Sequence, residues 1–180
     1  MADNNENTAA PAAAGEGATD PAQAPAFGIA GQYVRDLSFE NPNAPASLVP
    51  GTTNPASNVN INVQVKKQAD DAYAVEIGLN VKTERDGKVL YAVELVYGGL
   101  FRTRNIPENQ LGALLMVEAP RLIFPFARQV LAQTIQGGGF PPLMLEPVDF
   151  LALYRRNLAA AADKANPDGT AAGEAKPTVN

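Results

Sequence analysis

Between residues 59 and 97 the chain places an apolar side chain at every second position three times over. Val59, Ile61, Val63 and Val65 alternate with Asn60, Asn62 and Gln64. Tyr73, Val75, Ile77, Leu79 and Val81 then oppose Glu76, Asn80 and Lys82, and Val89, Tyr91, Val93, Leu95 and Tyr97 follow. A period of two matches the pleat of a strand and cannot lay a stripe on a helix, so the runs predict three strands. Gln68 to Asp71 supplies the first turn. Asp86-Gly87 supplies the second, because glycine takes positive φ without steric cost. In the third run the other side is apolar too (Leu90, Ala92, Val96), with Glu94 its one charge. A strand apolar on both sides is covered on both, and in a sheet this small the second cover is expected from another subunit. Gly98-Gly99 is expected to end or bend this strand.

A strand also precedes the three. Tyr33, Leu37 and Phe39 alternate with Val34, Asp36, Ser38 and Glu40, and Arg35 is a single break on the apolar side. Asn41-Pro42-Asn43-Ala44-Pro45 stops it, since proline has no N–H for a ladder. Residues 41–57 hold four prolines and no charge, a length that suggests either a surface connection or a flap over a binding surface. Helical spacing takes over after Asn105-Ile106-Pro107-Glu108, which reads as an N-cap, a proline in the first turn and an acidic N3. Leu111, Leu114 and Leu115 start the stripe, Pro120 marks a joint, and Ile123, Phe126, Val130 and Leu131 carry the period to about Gln136. Gly137-Gly138-Gly139 stops it. Pro147 opens a last helix with Val148, Leu151, Tyr154 and Leu158 on one side. Strands followed by helices predict an α+β fold: a four-stranded antiparallel meander sheet with helices packed on one face.

The pattern bounds one domain, residues 29–163. Residues 1–28 and 164–180 consist mostly of Ala, Gly, Pro, Asn and acids, too poor in apolar bulk to offset ordering entropy, and are expected to be a disordered leader and tail. The leader has neither basic residues nor an apolar run, so it reads as no signal or transit peptide, and a cytoplasmic location is the default. The uncharged run Gln129–Leu145 is broken by glycines and prolines, so no membrane insertion is expected.

Cysteine and histidine are both absent. That removes Ser-His-Asp and Cys-His catalysis and nearly every zinc site, and no carboxylate cluster has cation-binding spacing. No cofactor and no enzymatic activity are therefore expected. Asp70-Asp71 and Glu84 with Asp86 lie at turns, and Gly137-Gly138-Gly139 lacks the Lys-Ser/Thr of a phosphate loop. A formal charge of −5 argues against nucleic acid and fits a basic partner.

Two groups of residues remain. Asp36, Glu40 and Glu94 are strand carboxylates aimed away from Leu37 and Phe39. Strand charges often only blunt an edge. Leu48 and Val49 in the flap, Val59 and Ile61 in the second strand, and Phe140, Leu143 and Leu145 after the glycine stop are apolar, and serve either as core anchors or as the lining of an exposed groove.

Asp36-Leu37-Ser38-Phe39-Glu40-Asn41-Pro42-Asn43-Ala44-Pro45 resembles the N-terminal signature of the SecB family of protein-export chaperones. In order there follow Glu94 with Gly98-Gly99, then Arg121-Leu122-Ile123-Phe124-Pro125-Phe126-Ala127-Arg128, Gly139-Phe140-Pro141-Pro142 and Leu145-Glu146-Pro147-Val148-Asp149-Phe150. The resemblance spans about residues 30 to 160. It implies an ATP-independent cytoplasmic chaperone that holds secretory precursors unfolded and delivers them to the SecA motor, working as a homotetramer built as a dimer of dimers. It implies SecA docking by Asp36, Glu40 and Glu94, and client grooves lined by the second group. A chaperone of the same family dedicated to an antitoxin or another single client is the alternative. A scaffold whose apolar surfaces serve only its own assembly is a third reading.

Overall fold

Alternation marks the middle of each strand, and pairing extends it at both ends. A computed structural model describes residues 24–165. Its strands are β1 (Ala26–Glu40), β2 (Ala56–Ala69), β3 (Ala72–Arg85) and β4 (Lys88–Arg104), each longer than its alternating run. The helical half is α1 (Glu108–Ala113), a π-helical turn (Leu114–Glu118), α2 (Ala119–Gly137) and α3 (Phe150–Ala165). Residues 1–23 and 166–180 lie outside the described residues, so most of the expected leader and tail does too. The leader boundary nevertheless moves, because residues 26–28 belong to β1 and Phe27 stacks on Phe101 with ring centroids 5.1 Å apart.

The fold is α+β, with helices on one face of a four-stranded antiparallel sheet ordered β1-β4-β3-β2. The expected meander holds for β2, β3 and β4. For β1 it is corrected: β1 pairs with β4, not with β2. β1 occupies the otherwise free edge of β4 and pairs the backbone N–H and C=O groups exposed there. Residues 41–55 must then cross the sheet to the far edge, three strand spacings or about 14 Å away. A tight hairpin cannot do that. The result is a Greek-key order read in reverse.

Side chains opposite one another in a register share a face. Val65, Val63, Ile61 and Val59 on β2 meet Val75, Ile77, Leu79 and Val81 on β3, and these meet Gly99, Tyr97, Leu95 and Val93 on β4. This face carries the core, with Val75, Ile77, Leu79 and Val93 fully buried. The helices lie on it, as Ile123 of α2 comes close to Gly99. The other face bears Asn60, Asn62, Glu76, Asn80 and Glu94 and has no helix over it.

Three local readings are corrected. Gly98-Gly99 do not end β4, which runs on to Arg104; they are small because a Cβ on Gly98 would lie 2.5 Å from the Tyr33 ring. Helix α1 starts after Pro107 with no side-chain cap, and Asn105 stands upstream at φ 52. Helix α3 starts at Phe150, where the Asp149 carboxylate accepts from the Ala152 amide at 2.9 Å. The joint expected at Pro120 is a π-helical turn just before it, since proline cannot donate to the carbonyl four residues back. The stop at Gly137-Gly138-Gly139 is a Schellman motif: Gly139 donates to the Gln136 carbonyl, Phe140 donates to that of Ile135, and Gly139 takes φ 90. The continuous run Glu108–Gly137 is long and apolar enough to cross a bilayer. Here it lays Leu115, Ile123, Leu131 and Ile135 into the core against the sheet.

Candidate functional site

The break at Arg35 decides where the carboxylates point. Between Val34 and Asp36 the β1–β4 register shifts by one residue, so a β-bulge sits at Arg35. Before it, Tyr33 lies opposite Gly98 on the helix-free face; after it, Asp36 lies opposite Val96 on that same face. The expected grouping of Tyr33 with Leu37 and Phe39 is thus corrected. A bulge inserts one residue, and with a period of two everything beyond it changes side. Leu37 and Phe39 face the helices, while Tyr33, Asp36, Ser38 and Glu40 face away.

That inversion gathers the three predicted carboxylates. Ser38 lies opposite Glu94 and Glu40 opposite Ala92. Glu94 is therefore diagonal to both Asp36 and Glu40, at the roughly 7–8 Å typical of such pairs. All three are exposed, and none has an ion-pair partner among the described residues. A shallow hollow of about 120 Å3 beside them is lined by Arg35, Asp36, Asn62, Glu76, Asn80 and Glu94.

The cations of this face are engaged elsewhere. Arg35 and Lys66 both reach Glu76, Lys66 at 3.6 Å, and Lys82 pairs with Glu84 at 2.6 Å. Glu76 is a buried charge, 5% exposed, and it also accepts from the Tyr33 hydroxyl at 3.1 Å. The alternation of β3 makes Glu76 look like any solvated strand residue. Its role shows only once β1 lies two strands away. Burial, and then the neighbouring Glu76 carboxylate, push the Tyr33 phenol above its ordinary pKa, so it remains a donor. The turn acids behave as turn acids: Asp70 pairs with Lys67 at 2.9 Å and Asp71 with Arg102 at 2.8 Å.

The apolar group divides. Phe140 and Leu145 are buried, 8% and 9% exposed, and belong to the core of this chain. Phe140 lies 4.8 Å from Tyr91 and 6.4 Å from Phe39, ring centre to ring centre. Gly138 makes room for this cluster, as a Cβ there would come 2.1 Å from Phe39. Leu143 and Ile61 are half-buried, while Leu48, Val49 and Val59 are exposed. Leu48 approaches Gly139, so flap and interhelical linker meet. Val59 stands in the same cross-sheet row as Val81, Val93 and Phe39, about 14 Å from Phe39. Met144, 62% exposed, was not singled out by its sequence context, although it follows directly on Leu143.

The flap is tied down. Asn43 donates to the Val89 carbonyl at 2.8 Å, Arg85 to that of Val49 at 2.7 Å, Thr53 to Asp86 at 2.8 Å, and Ser47 to Asn41 at 2.7 Å. The cleft between flap and β3–β4 hairpin, about 320 Å3, is lined by Val49, Pro50, Arg85, Val89 and Leu90 among others. A second apolar surface stands open among the described residues: Ile29, Val34 and Leu37 on β1, with Leu122 and Phe126 on α2, are each between 37% and 47% exposed.

Three carboxylates without ion-pair partners among the described residues lie on one face of the sheet, and exposed apolar side chains lie on and around the other, an arrangement suited to binding proteins. Comparison with known proteins agrees. Residues 20–161 match the family model described as "Preprotein translocase subunit SecB". The Protein-export protein SecB of Rhodopseudomonas palustris (strain BisB18) is 48% identical over 154 residues, covering 82% of this chain and 94% of that protein. The Protein-export protein SecB of Bartonella bacilliformis is 48% identical over 136 residues, covering 76% and 86%. Among solved structures, the SecB-like chaperone of Mycobacterium tuberculosis in complex with a ChAD peptide from an antitoxin matches in fold, with TM-score 0.57, 15% identity, and coverage of 68% of this chain and 90% of that one. The chain belongs to the SecB family.

Proposed function

We propose that this protein is an ATP-independent cytoplasmic chaperone of protein export. It holds unfolded secretory precursors on the apolar, helix-bearing side of its sheet and docks SecA on the acidic face. The observation that carries this reading is the bulge at Arg35, which turns Asp36 and Glu40 onto the face of Glu94 while Leu37 and Phe39 turn the other way. Unpaired carboxylates on an exposed face favour a basic partner and set its orientation and association rate. Leu48, Val49, Val59, Ile61 and Leu143 supply the client surface, with Phe140 and Leu145 beneath the linker as its base. Holding the unfolded state competes with folding by mass action, so no nucleotide is required.

Assembly as a homotetramer, a dimer of dimers, is supported by the uncovered Ile29, Val34, Leu37, Leu122 and Phe126. Several weak grooves on one oligomer then supply avidity.

The test is aggregation of a slow-folding precursor diluted from urea, without nucleotide, alongside SecA binding measured separately. Suppression at near-stoichiometric tetramer is expected. Asp36→Lys with Glu40→Lys is expected to weaken SecA binding and spare suppression. Loss of both functions together would overturn the assignment of the two surfaces.

A further inference from the structure

Arg35 lies beside the carboxylates it would be expected to neutralise. It lines the same hollow as Asp36 and Glu94, and its side chain is 43% exposed. A guanidinium in that place has five donors and a flexible stem, and the adjacent carboxylates have no ion-pair partner among the described residues. Instead it reaches across β4 to Glu76 on β3, two strands away. Two features hold it there. Glu76 is buried, so its attraction for a cation is screened less than that of the exposed Asp36. Tyr33 crosses the bare backbone of Gly98 and donates to the other Glu76 oxygen, which fixes the carboxylate toward β1.

We infer that Glu76 is a positioning residue for partner docking: it sequesters the Arg35 guanidinium, so that Asp36, Glu40 and Glu94 present an unneutralised acidic face to a basic protein surface. This rests on the docking role proposed above for those carboxylates. The same contact anchors the residue of the bulge, so charge and register are held by one interaction. With the Glu76 charge removed, Asp36 and Glu94 become the nearest anions to Arg35, and one of the docking carboxylates is masked.

Glu76→Gln keeps the side-chain volume and an oxygen for Tyr33 but removes the charge. The experiment measures association rates with SecA across a salt series for the full chain, Glu76→Gln, Glu76→Gln with Arg35→Gln, and Asp36→Lys with Glu40→Lys. Far-UV circular dichroism and sedimentation confirm that each variant folds and assembles. At low salt Glu76→Gln is expected to slow association on the order of twofold to fivefold, the range of a single rim charge. The difference should vanish near 1 M salt, where the Debye length is about 3 Å. Adding Arg35→Gln should restore the rate. A Glu76→Gln rate equal to that of the unaltered chain overturns the inference. So does a slow Glu76→Gln that Arg35→Gln fails to restore, which would assign the effect to strand geometry or to the freed Lys66 rather than to Arg35. If Asp36→Lys with Glu40→Lys also leaves the rate unchanged, the docking role itself fails and this inference falls with it.

Discussion

Gly98→Ala tests whether Tyr33 needs the bare backbone of β4. A Cβ at Gly98 would lie 2.5 Å from Tyr33 Cζ and 2.7 Å from its hydroxyl oxygen. Ordinary carbon contacts are about 3.5–4.0 Å, so the ring must move by roughly an ångström. The bond from Tyr33 to Glu76 is already 3.1 Å long and does not survive that shift. Losing a hydrogen bond to a charged acceptor costs about 1.5–3 kcal/mol, and the lower end applies to a side chain as exposed as Tyr33. Alanine in place of glycine in a strand returns about 0.5–1 kcal/mol. Gly98→Ala alone should therefore destabilise by about 1 kcal/mol. In a Tyr33→Ala background the added methyl meets no ring, and the same change should stabilise by about 0.5–1 kcal/mol. The coupling between the sites is then about 1.5–2 kcal/mol. Urea unfolding of the four proteins at one protein concentration measures it, the fixed concentration being necessary for an assembling chain. Additivity within about 0.5 kcal/mol would refute the reasoning, because it would mean the ring does not cross Gly98.

Phe140→Ala should cost about 3–5 kcal/mol in urea unfolding, as the ring fills the space between Tyr91 and Phe39. Asp149→Ala should cost about 1 kcal/mol and raise hydrogen exchange in the first turn of α3, where the carboxylate caps the Ala152 amide. Arg85→Ala removes the bond to the Val49 carbonyl and should speed proteolysis within residues 41–55 while global stability changes by less than about 1 kcal/mol. The raised pKa of Tyr33 predicts a pH effect of definite sign: folding favours the protonated phenol, so its contribution is complete below the unfolded value near 10 and declines as pH rises through the folded value. Urea midpoints from pH 9 to 11 should show that decline, and Tyr33→Phe should lack it.

The parts legible in the sequence were those written in local spacing. Val59–Val65 and Tyr73–Val81 alternate because one side meets the helices and the other meets water, and the Asp86-Gly87 hairpin has both central residues at positive φ, as its composition predicts. Pairing of β1 with β4 had no local trace, because it joins residues some 60 apart in the chain. Gly98 read as a stop because glycine at a strand end and glycine beneath a crossing ring look alike in sequence. Arg35 is the instructive case. It was visible as the one residue out of phase, yet a charge on an apolar side and an inserted residue give the same pattern. Only the partner strand distinguishes them. Phe140 reads as part of a greasy loop because the rings it packs on, Phe39 and Tyr91, come from strands remote in sequence.

The bulge also bears on how client and motor can influence each other. It leaves Asp36, Glu40 and Glu94, proposed to dock the motor, on one face of the sheet and Val59 and Ile61, proposed to hold clients, on the other, so the two groups are separated by the sheet itself. Docking can shift client affinity only through a difference in free energy between two states of the chain. The three carboxylates make no ion pair, among the described residues, that a client on the other face would have to break. The flap is held to the β3–β4 hairpin by side-chain bonds of Arg85, Asn43 and Thr53, whose breaking would give it a second state. Coupling between the proposed motor and client surfaces is therefore expected to depend on the flap contacts. Client dissociation rates measured with and without SecA should respond to docking in the unaltered chain and lose that response in Arg85→Ala. An equal response in both would place the coupling outside the flap.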